Sequence, residues 1–179
     1  LVWAVGRSNE AKQELGTEAF GVVASIRHAL DFAASHDGCS TLAFHAMRAL
    51  LTLGIAQTNE TKLLDGNVTT PLVATLAKYA PTSPDCARAA SGALYMLLRT
   101  PRAKKMLLDA GVVDALQAAF AEMEKAPPSP AVDTALVELC APFSLLAQLP
   151  PEDVSPQLAK QAEETLQLLM SKRVPATVA

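Results

Sequence analysis

Asn59-Glu60-Thr61-Lys62-Leu63-Leu64-Asp65-Gly66 has related copies elsewhere along the chain, and these copies set the pattern of the fold. Fifty positions earlier stands Asn9-Glu10-Ala11-Lys12-Gln13-Glu14-Leu15-Gly16, with the same Asn-Glu-x-Lys start and the same closing glycine. A third copy, Lys105-Met106-Leu107-Leu108-Asp109-Ala110-Gly111-Val112-Val113, repeats the Leu-Leu-Asp triplet 44 positions after its first occurrence. Self-similarity at a period of about 40–47 residues, in a sequence with helical patterning, is typical of stacked helical repeats.

Composition agrees with closely packed helices. Half of the 179 residues are hydrophobic but only 4% are aromatic, and alanine and leucine supply most of the apolar content. Strands favour β-branched and aromatic residues instead. The 15 Lys and Arg against 18 Asp and Glu leave a net charge of −3, which does not favour nucleic acid or an anionic membrane as a partner.

Cysteine usage and hydropathy indicate a protein from inside the cell. Cys39, Cys86 and Cys140 are odd in number and widely spaced, which favours reduced thiols in the core. No uninterrupted apolar stretch reaches the roughly 18 residues of a membrane span. The first residue is Leu1 and no signal segment is recognisable, so we expect a piece of a longer chain. The expected location is cytoplasmic, with a cilium or the cytoskeleton as alternatives.

The order of a short, a medium and a long helix recurs along the chain. The short helix ends at a glycine, as at Gly16, because glycine accepts the left-handed conformation. Behind that glycine, residues 22–26 align with residues 72–76. We therefore predict the end of a truncated repeat, three repeats, and a capping segment, with these boundaries: 1–8, 9–57, 58–99, 100–149 and 150–179.

Local signals define where these helices begin. Thr17 is the predicted cap of the second helix, and three Ser/Thr-Pro pairs open later helices, since serine or threonine caps while proline fits the first turn. Those pairs are Ser83-Pro84, Thr100-Pro101 and Ser129-Pro130. Leu42 is predicted on the buried face of the third helix, and Pro142 is predicted to kink the last long helix. Ser155-Pro156 opens a final helix with one apolar and one polar side, which would cover the end of the stack.

This pattern resembles the armadillo repeat. The Leu107–Val113 stretch quoted above is similar to the family's junction between first and second helices. Ala46-Met47-Arg48-Ala49-Leu50-Leu51-Thr52-Leu53 and Ala90-Ser91-Gly92-Ala93-Leu94-Tyr95-Met96-Leu97 are similar to its third helix. The resemblance covers about residues 1–149 and implies an all-α, right-handed α-solenoid of three-helix repeats with a C-terminal capping helix. HEAT repeats share the packing but have two helices and usually lack the short first one.

The resemblance also implies where partners bind. Family members mostly bind other proteins along the concave face of the third helices, and the nuclear-import adaptors use recurring Trp and Asn residues there. Here Trp3 occupies the Trp position, while Arg7 stands where Asn would be. The recurring series of Trp and Asn residues is therefore absent after Trp3. The next repeats have other residues at both positions, which are Arg48 and Thr52, then Gly92 and Met96. The import adaptors bind extended basic peptides, which Arg7 and Arg48 would repel. The residues here therefore favour a partner of acidic or mixed charge.

The predicted binding residues on this face are therefore Trp3, Arg7, Arg48, Thr52 and Met96. Each arginine has a plainer interpretation, an ion pair with an acidic neighbour such as Glu10 or Glu14, and Trp3 would equally pack against a preceding repeat. The densest positive cluster is a second candidate, for an acidic segment, an acidic surface or phosphate, although such runs are commonly solvated helix ends. It comprises Arg99, Arg102, Lys104 and Lys105.

No pattern favours metal or catalytic chemistry. His28, His36 and His45 stand eight and nine positions apart, so no pair lies one helical turn apart, and His45 is expected to be half-buried. No Gly-rich phosphate loop, G-x-S-x-G or H-E-x-x-H motif occurs. The sequence predicts a non-catalytic, cofactor-free protein-interaction or scaffold module. The alternatives are a structural subunit of a large cytoskeletal or ciliary assembly and a regulatory repeat array of a larger multidomain protein.

Overall fold

The chain folds as α-helices. The computed structural model describes residues 9–15 and 21–147, together with Glu164 and Gln167. The helices in those ranges are α1 (Asn9–Leu15), α2 (Val22–Ser35), α3 (Ser40–Gly54), α4 (Glu60–Asp65), α5 (Thr69–Tyr79), α6 (Pro84–Leu97), α7 (Pro101–Asp109), α8 (Val112–Lys125) and α9 (Pro130–Ala147), with a 3-10 turn over Gln57–Asn59. The described residues contain no strand, so the predicted all-α class is confirmed.

The predicted helix starts at the three Ser/Thr-Pro pairs are confirmed. In each, the hydroxyl accepts a hydrogen bond from the backbone N–H three residues later, which satisfies one of the free donors at a helix start. The bonds run from Cys86 N to Ser83 Oγ (3.3 Å), from Ala103 N to Thr100 Oγ1 (3.4 Å) and from Val132 N to Ser129 Oγ (3.2 Å).

The second helix begins later than the sequence predicts. α2 starts at Val22, directly after Gly21 in the left-handed conformation (φ 56°), whereas Thr17 lies outside the described residues. Gly111 (φ 80°) precedes α8 in the same way. Both glycines turn the chain sharply into a helix without a side-chain cap, because only glycine adopts a positive φ at little cost. The signal for these starts was a glycine, not a hydroxyl.

The long helices form two rows. In one row α3 packs against α6 and α6 against α9, while in the other α2 packs against α5 and α5 against α8. The two rows contact each other through consecutive helices: α2 contacts α3, α5 contacts α6 and α8 contacts α9. Leucine and alanine fill the space between the rows, with fully buried side chains such as Leu50, Leu72, Leu94 and Leu116. This burial is the main stabilising contribution, at roughly 25 cal/mol per Å² of apolar surface.

Glycines permit close approaches between helices at two places. A Cβ built on Gly66 would lie 2.6 Å from Val23 Cγ1, and one built on Gly92 would lie 2.9 Å from Leu51 Cδ2. Gly66 has an ordinary right-handed conformation (φ −71°), so it is required here by contact and not by backbone angle. Gly66, the closing glycine of the recurring block, therefore allows α2 to lie against the end of α4.

Tyr79 fastens the end of α5 to the turn between α2 and α3. Its buried hydroxyl lies 2.6 Å from His36 O and 3.1 Å from Ala33 O, and it accepts a hydrogen bond from Cys39 N at 3.2 Å. Next to it, Lys78 Nζ donates to Ala34 O at 3.1 Å and pairs with Asp37 at 2.9 Å. The two residues satisfy backbone groups that the break between α2 and α3 leaves without helical partners.

Asn59 makes a similar link at the start of the recurring block. Its amide nitrogen, in a fully buried side chain, donates to Lys12 O in α1 at 2.8 Å and to Leu53 O near the end of α3 at 3.2 Å. Asn occupies the same position in both copies of the block, at Asn9 and Asn59. At Asn59 the residue links the 3-10 turn to both α1 and α3.

Two expectations about single residues were wrong. Leu42 is 38% exposed instead of buried, and His45 is exposed, with its ring 5.1 Å from that of Phe44. α9 continues as one helix through Pro142 to Ala147, and the kink predicted at Pro142 stays a prediction. The predicted capping helix falls almost entirely outside the described residues, apart from Glu164 and Gln167, which are helical and exposed.

Among the described helices, none combines the length and the apolar character that crossing a membrane requires.

Candidate functional site

The first predicted binding residues lie beyond the described part of the chain. Trp3 and Arg7 fall in residues 1–8, so their predicted role on the third-helix face remains a prediction. Arg48 is described and half-buried on α3. Its guanidinium lies 5.5 Å from the centre of the Phe44 ring, one helical turn earlier, which is a cation–π contact. This contact places the guanidinium beside the Phe44 ring on the same side of α3.

Thr52 does not belong to the accessible surface. Its side chain is 7% exposed, and its hydroxyl donates to the Arg48 carbonyl at 2.9 Å within the same helix. A threonine that returns its hydroxyl to the preceding turn has no donor left for a partner. We therefore remove Thr52 from the binding residues that the resemblance implied.

Contacts between neighbouring helices link one side of α3, α6 and α9. On α6, residues 88, 92 and 95 recur at intervals of four and three, so they lie on one side of the helix. Leu51 of α3 packs on Gly92, and Arg88 Nε lies 3.2 Å from Glu138 Oε1 of α9. Tyr95 is 44% exposed. We call this surface the α3–α6–α9 face and define it by Phe44, Arg48, Arg88, Gly92, Tyr95 and Glu138.

Met96 and Arg99, which the sequence assigned to two different candidate sites, lie in one cleft. The cleft has a volume of about 130 Å³ and opens where α3 and α6 end, beside the start of α4. Leu63, Leu97 and Met96 supply apolar walls, while Arg99 and Glu60 supply opposite charges. The remaining lining residues are Gly54, Gln57 and Thr100. The third-helix ends converge here because Met96 packs close to Gly54, 3.3 Å from a Cβ built there.

The positive cluster is divided by internal ion pairs. Arg102 Nη2 lies 2.6 Å from Asp65 Oδ1, and Lys105 Nζ lies 3.4 Å from Asp109 Oδ2. All four of these side chains are more than half exposed, so each pair adds little stability, about 0–1 kcal/mol. Arg99 has no ion pair among the described residues and lines the cleft. Lys104 is partly buried on α7 and has no ion pair among the described residues. The cluster therefore consists of two paired surface charges, Lys104, and one arginine that lines the cleft.

The thiols behave as core residues where the structure describes them. Cys86 is buried, and this burial raises the pKa of its thiol above the ordinary value. Its Sγ lies 3.4 Å from Ser40 O, within reach of a weak hydrogen bond. Cys39 and Cys140 are partly buried. Within the described ranges, no group of three or more His, Cys, Asp or Glu residues is arranged to hold a metal ion.

Sequence reasoning missed Glu60, Arg88 and Tyr95. Tyr95 stands inside the third-helix phrase, and Arg88 stands one turn before Gly92, so helical spacing from Gly92 identifies both. Glu60 belongs to the recurring block, but its approach to the end of α6 depends on tertiary packing. Comparison of the chain with protein-family models, with curated proteins and with solved structures gave no match.

Proposed function

We propose that the two rows of helices are part of an armadillo-like α-solenoid. The support is that equivalent contacts recur at the sequence period: α3 with α6 and α6 with α9, and likewise α2 with α5 and α5 with α8. In a solenoid each repeat contacts its neighbours alone, so these recurring neighbour contacts are the expected ones. The repeat boundaries proposed from the sequence, 9–57, 58–99 and 100–149, place one helix of each row in each repeat.

We propose further that the module is non-catalytic and binds a protein partner on the α3–α6–α9 face. The observation that carries this proposal is that contacts join one side of α3, α6 and α9, where Arg48 lies beside the Phe44 ring and Tyr95 is 44% exposed. Arginine and tyrosine are enriched among the residues that dominate protein–protein binding energy. A face built on packed helices is also pre-ordered, which lowers the entropy cost of capturing an extended segment.

The charges on this face support a partner of acidic or mixed charge. Arg48 offers a planar guanidinium suited to a carboxylate. Arg88 is already paired with Glu138, and both side chains remain about 40–45% exposed, so the pair also offers one charge of each sign at the rim. Such rim charges contribute to partner choice and association rate more than to affinity.

The test is capture of partners by the purified chain, with cross-linking and mass spectrometry of the captured contacts. Arg48→Glu and Tyr95→Ala should each reduce capture of the same partner by about tenfold or more, since hot-spot truncations cost roughly 2 kcal/mol. Ala74→Glu is the matched control, because Ala74 is exposed on α5 in the other row. Equal capture by all three variants, with unchanged circular dichroism, would exclude this face as the binding surface.

A further inference from the structure

The α8–α9 turn, residues 126–129, presents two consecutive prolines to solvent. Pro127 and Pro128 are both exposed, and neither carries a backbone N–H that could close a turn. Ala126 has φ −66° and ψ 150°, which are the angles of polyproline II. Its N–H donates to Met123 O at 3.2 Å, so the start of the turn is held by the last part of α8.

The remaining residues of the turn favour the same extended conformation. A proline fixes its own φ and disfavours the helical region for the residue before it. Ala126, Pro127 and Ser129 each precede a proline. The hydroxyl of Ser129 accepts from Val132 N at 3.2 Å, which holds the end of the turn against α9. At about 3.1 Å per residue, the turn spans roughly 12 Å, slightly more than one turn of polyproline II.

The turn between α5 and α6 shows that proline spacing alone does not produce this conformation. Pro81-Thr82-Ser83-Pro84 repeats the spacing of Pro127-Pro128-Ser129-Pro130. Ala80 is nevertheless right-handed helical, with φ −62° and ψ −34°, and Pro81 is partly buried. Ser83 N donates back to the carbonyl of the last residue of α5 at 3.0 Å, so this turn folds back on its helix. The α8–α9 turn therefore combines proline spacing with exposure and an extended backbone.

We propose that the α8–α9 turn is a docking site for a WW-type domain, which binds a short proline-rich segment in an aromatic-lined groove. Such grooves select polyproline II because the segment is already ordered, so its capture costs little conformational entropy. The rings of Pro127 and Pro128 would pack against the aromatic side chains of the groove. This site uses neither Arg48 nor Tyr95, so the inference goes beyond the proposed function.

The length of the extended segment selects this occupant. The spacing of Pro127 and Pro130 also matches the PxxP pattern that SH3 domains bind. Pro130 is already the first residue of α9, so the second proline of that pattern lies outside the polyproline II segment. The consecutive pair Pro127-Pro128 remains, and it suits a groove that contacts a single turn.

The experiment probes an array of isolated WW domains and SH3 domains with the purified, fluorescently labelled chain, and then titrates each domain that binds. At least one WW domain should bind the native chain. Pro127→Ala and Pro128→Ala should each weaken that binding by at least about tenfold, because each removes a ring that anchors the segment in the groove.

The α5–α6 turn supplies the matched control. Pro81→Ala removes the equivalent proline from a turn that is folded back, so it should change the affinity for the WW domain by less than about twofold. Pro127 and Pro128 are exposed, so their variants should keep the fold, and circular dichroism and thermal unfolding check this. If Pro127→Ala lengthens α8, Pro128→Ala provides the same test with the first proline in place.

Three results would overturn the inference. The first is that no WW domain of the array binds the native chain, and the second is that SH3 domains alone bind it. The third is that Pro81→Ala weakens binding as much as the variants of the α8–α9 turn do. None of these results depends on a partner that binds through Arg48 and Tyr95, so the proposed function is tested separately.

Discussion

Replacing Tyr79 with phenylalanine removes one oxygen from the contact between α5 and the turn that joins α2 to α3. That oxygen accepts from Cys39 N at 3.2 Å and lies 2.6 Å from His36 O. The side chain is 7% exposed, so water does not readily replace the lost hydroxyl. Leaving a buried backbone group unpaired costs about 1–3 kcal/mol. We therefore expect Tyr79→Phe to lower the free energy of unfolding by about 2 kcal/mol.

The chain contains a matched control for this substitution. It has two tyrosines, and the other, Tyr95, is 44% exposed on the α3–α6–α9 face. Tyr95→Phe should change stability by less than about 0.5 kcal/mol, as surface substitutions usually do. Urea unfolding followed by circular dichroism gives both values, and Tyr79→Phe should also lower the melting temperature by about 4–8 °C. Equal stability of the two variants would refute the link between α5 and the α2–α3 turn.

Three further substitutions or reactions test other contacts. Gly66→Ala should destabilise the fold by about 1–2 kcal/mol in urea unfolding, because the new methyl meets Val23, whose branched side chain has few alternative rotamers. The buried thiol of Cys86, with its raised pKa, should react with a thiol reagent at pH 8 more than about tenfold slower than the partly exposed thiols. Lys78 lowers the pKa of Asp37 through a hydrogen bond and its charge, so that pair stabilises the fold above the ordinary carboxyl pKa of about 4 and is lost as the pH falls. Asp37→Asn should therefore be less stable than the native chain at pH 7 and converge with it in acid, by thermal unfolding.

Controls make these results specific. Gly54→Ala meets Met96 Cβ at 3.3 Å, a milder contact, so it should cost less than Gly66→Ala; the reverse order would contradict the close approach of α2. Cys140, a partly buried thiol, serves as the internal reference for alkylation, and equal rates would mean that Cys86 is accessible. Asp109→Asn, on a separate exposed ion pair, should not reproduce the acid convergence expected for Asp37. A stability difference for Asp37→Asn that persists in acid would assign it to something other than the carboxylate charge.

The helices were predictable because their signals are local. Ser83, Thr100 and Ser129 mark their helix starts through a hydroxyl that bonds three residues ahead, and such a bond depends on no distant residue. The start of α2 was less predictable, since Gly21 replaces a hydroxyl cap by a left-handed turn. Leu42 follows the apolar spacing of α3 yet remains 38% exposed, because periodicity indicates a face without showing what covers it.

The site was less accessible to sequence reasoning than the fold. Helical spacing brings Arg48 and Phe44 together, one turn apart on α3. The cleft instead joins Met96 and Arg99 to Glu60, which stands more than 30 positions earlier. No local pattern encodes that approach, because it depends on how closely α3 and α6 pack.

The arrangement of helices in successive rows is tested most directly by distances between equivalent positions of α2, α5 and α8. Ala24, Ala74 and Ala118 are exposed and occupy matching places in the aligned sequence copies. Spin labels on noncanonical amino acids there avoid the native thiols. Because packed helices lie about 8–10 Å apart, electron paramagnetic resonance should give roughly 10 Å for 24–74 and for 74–118, and roughly 20 Å for 24–118, allowing for the labels. A 24–118 distance as short as the other two would show a closed bundle and contradict the stack.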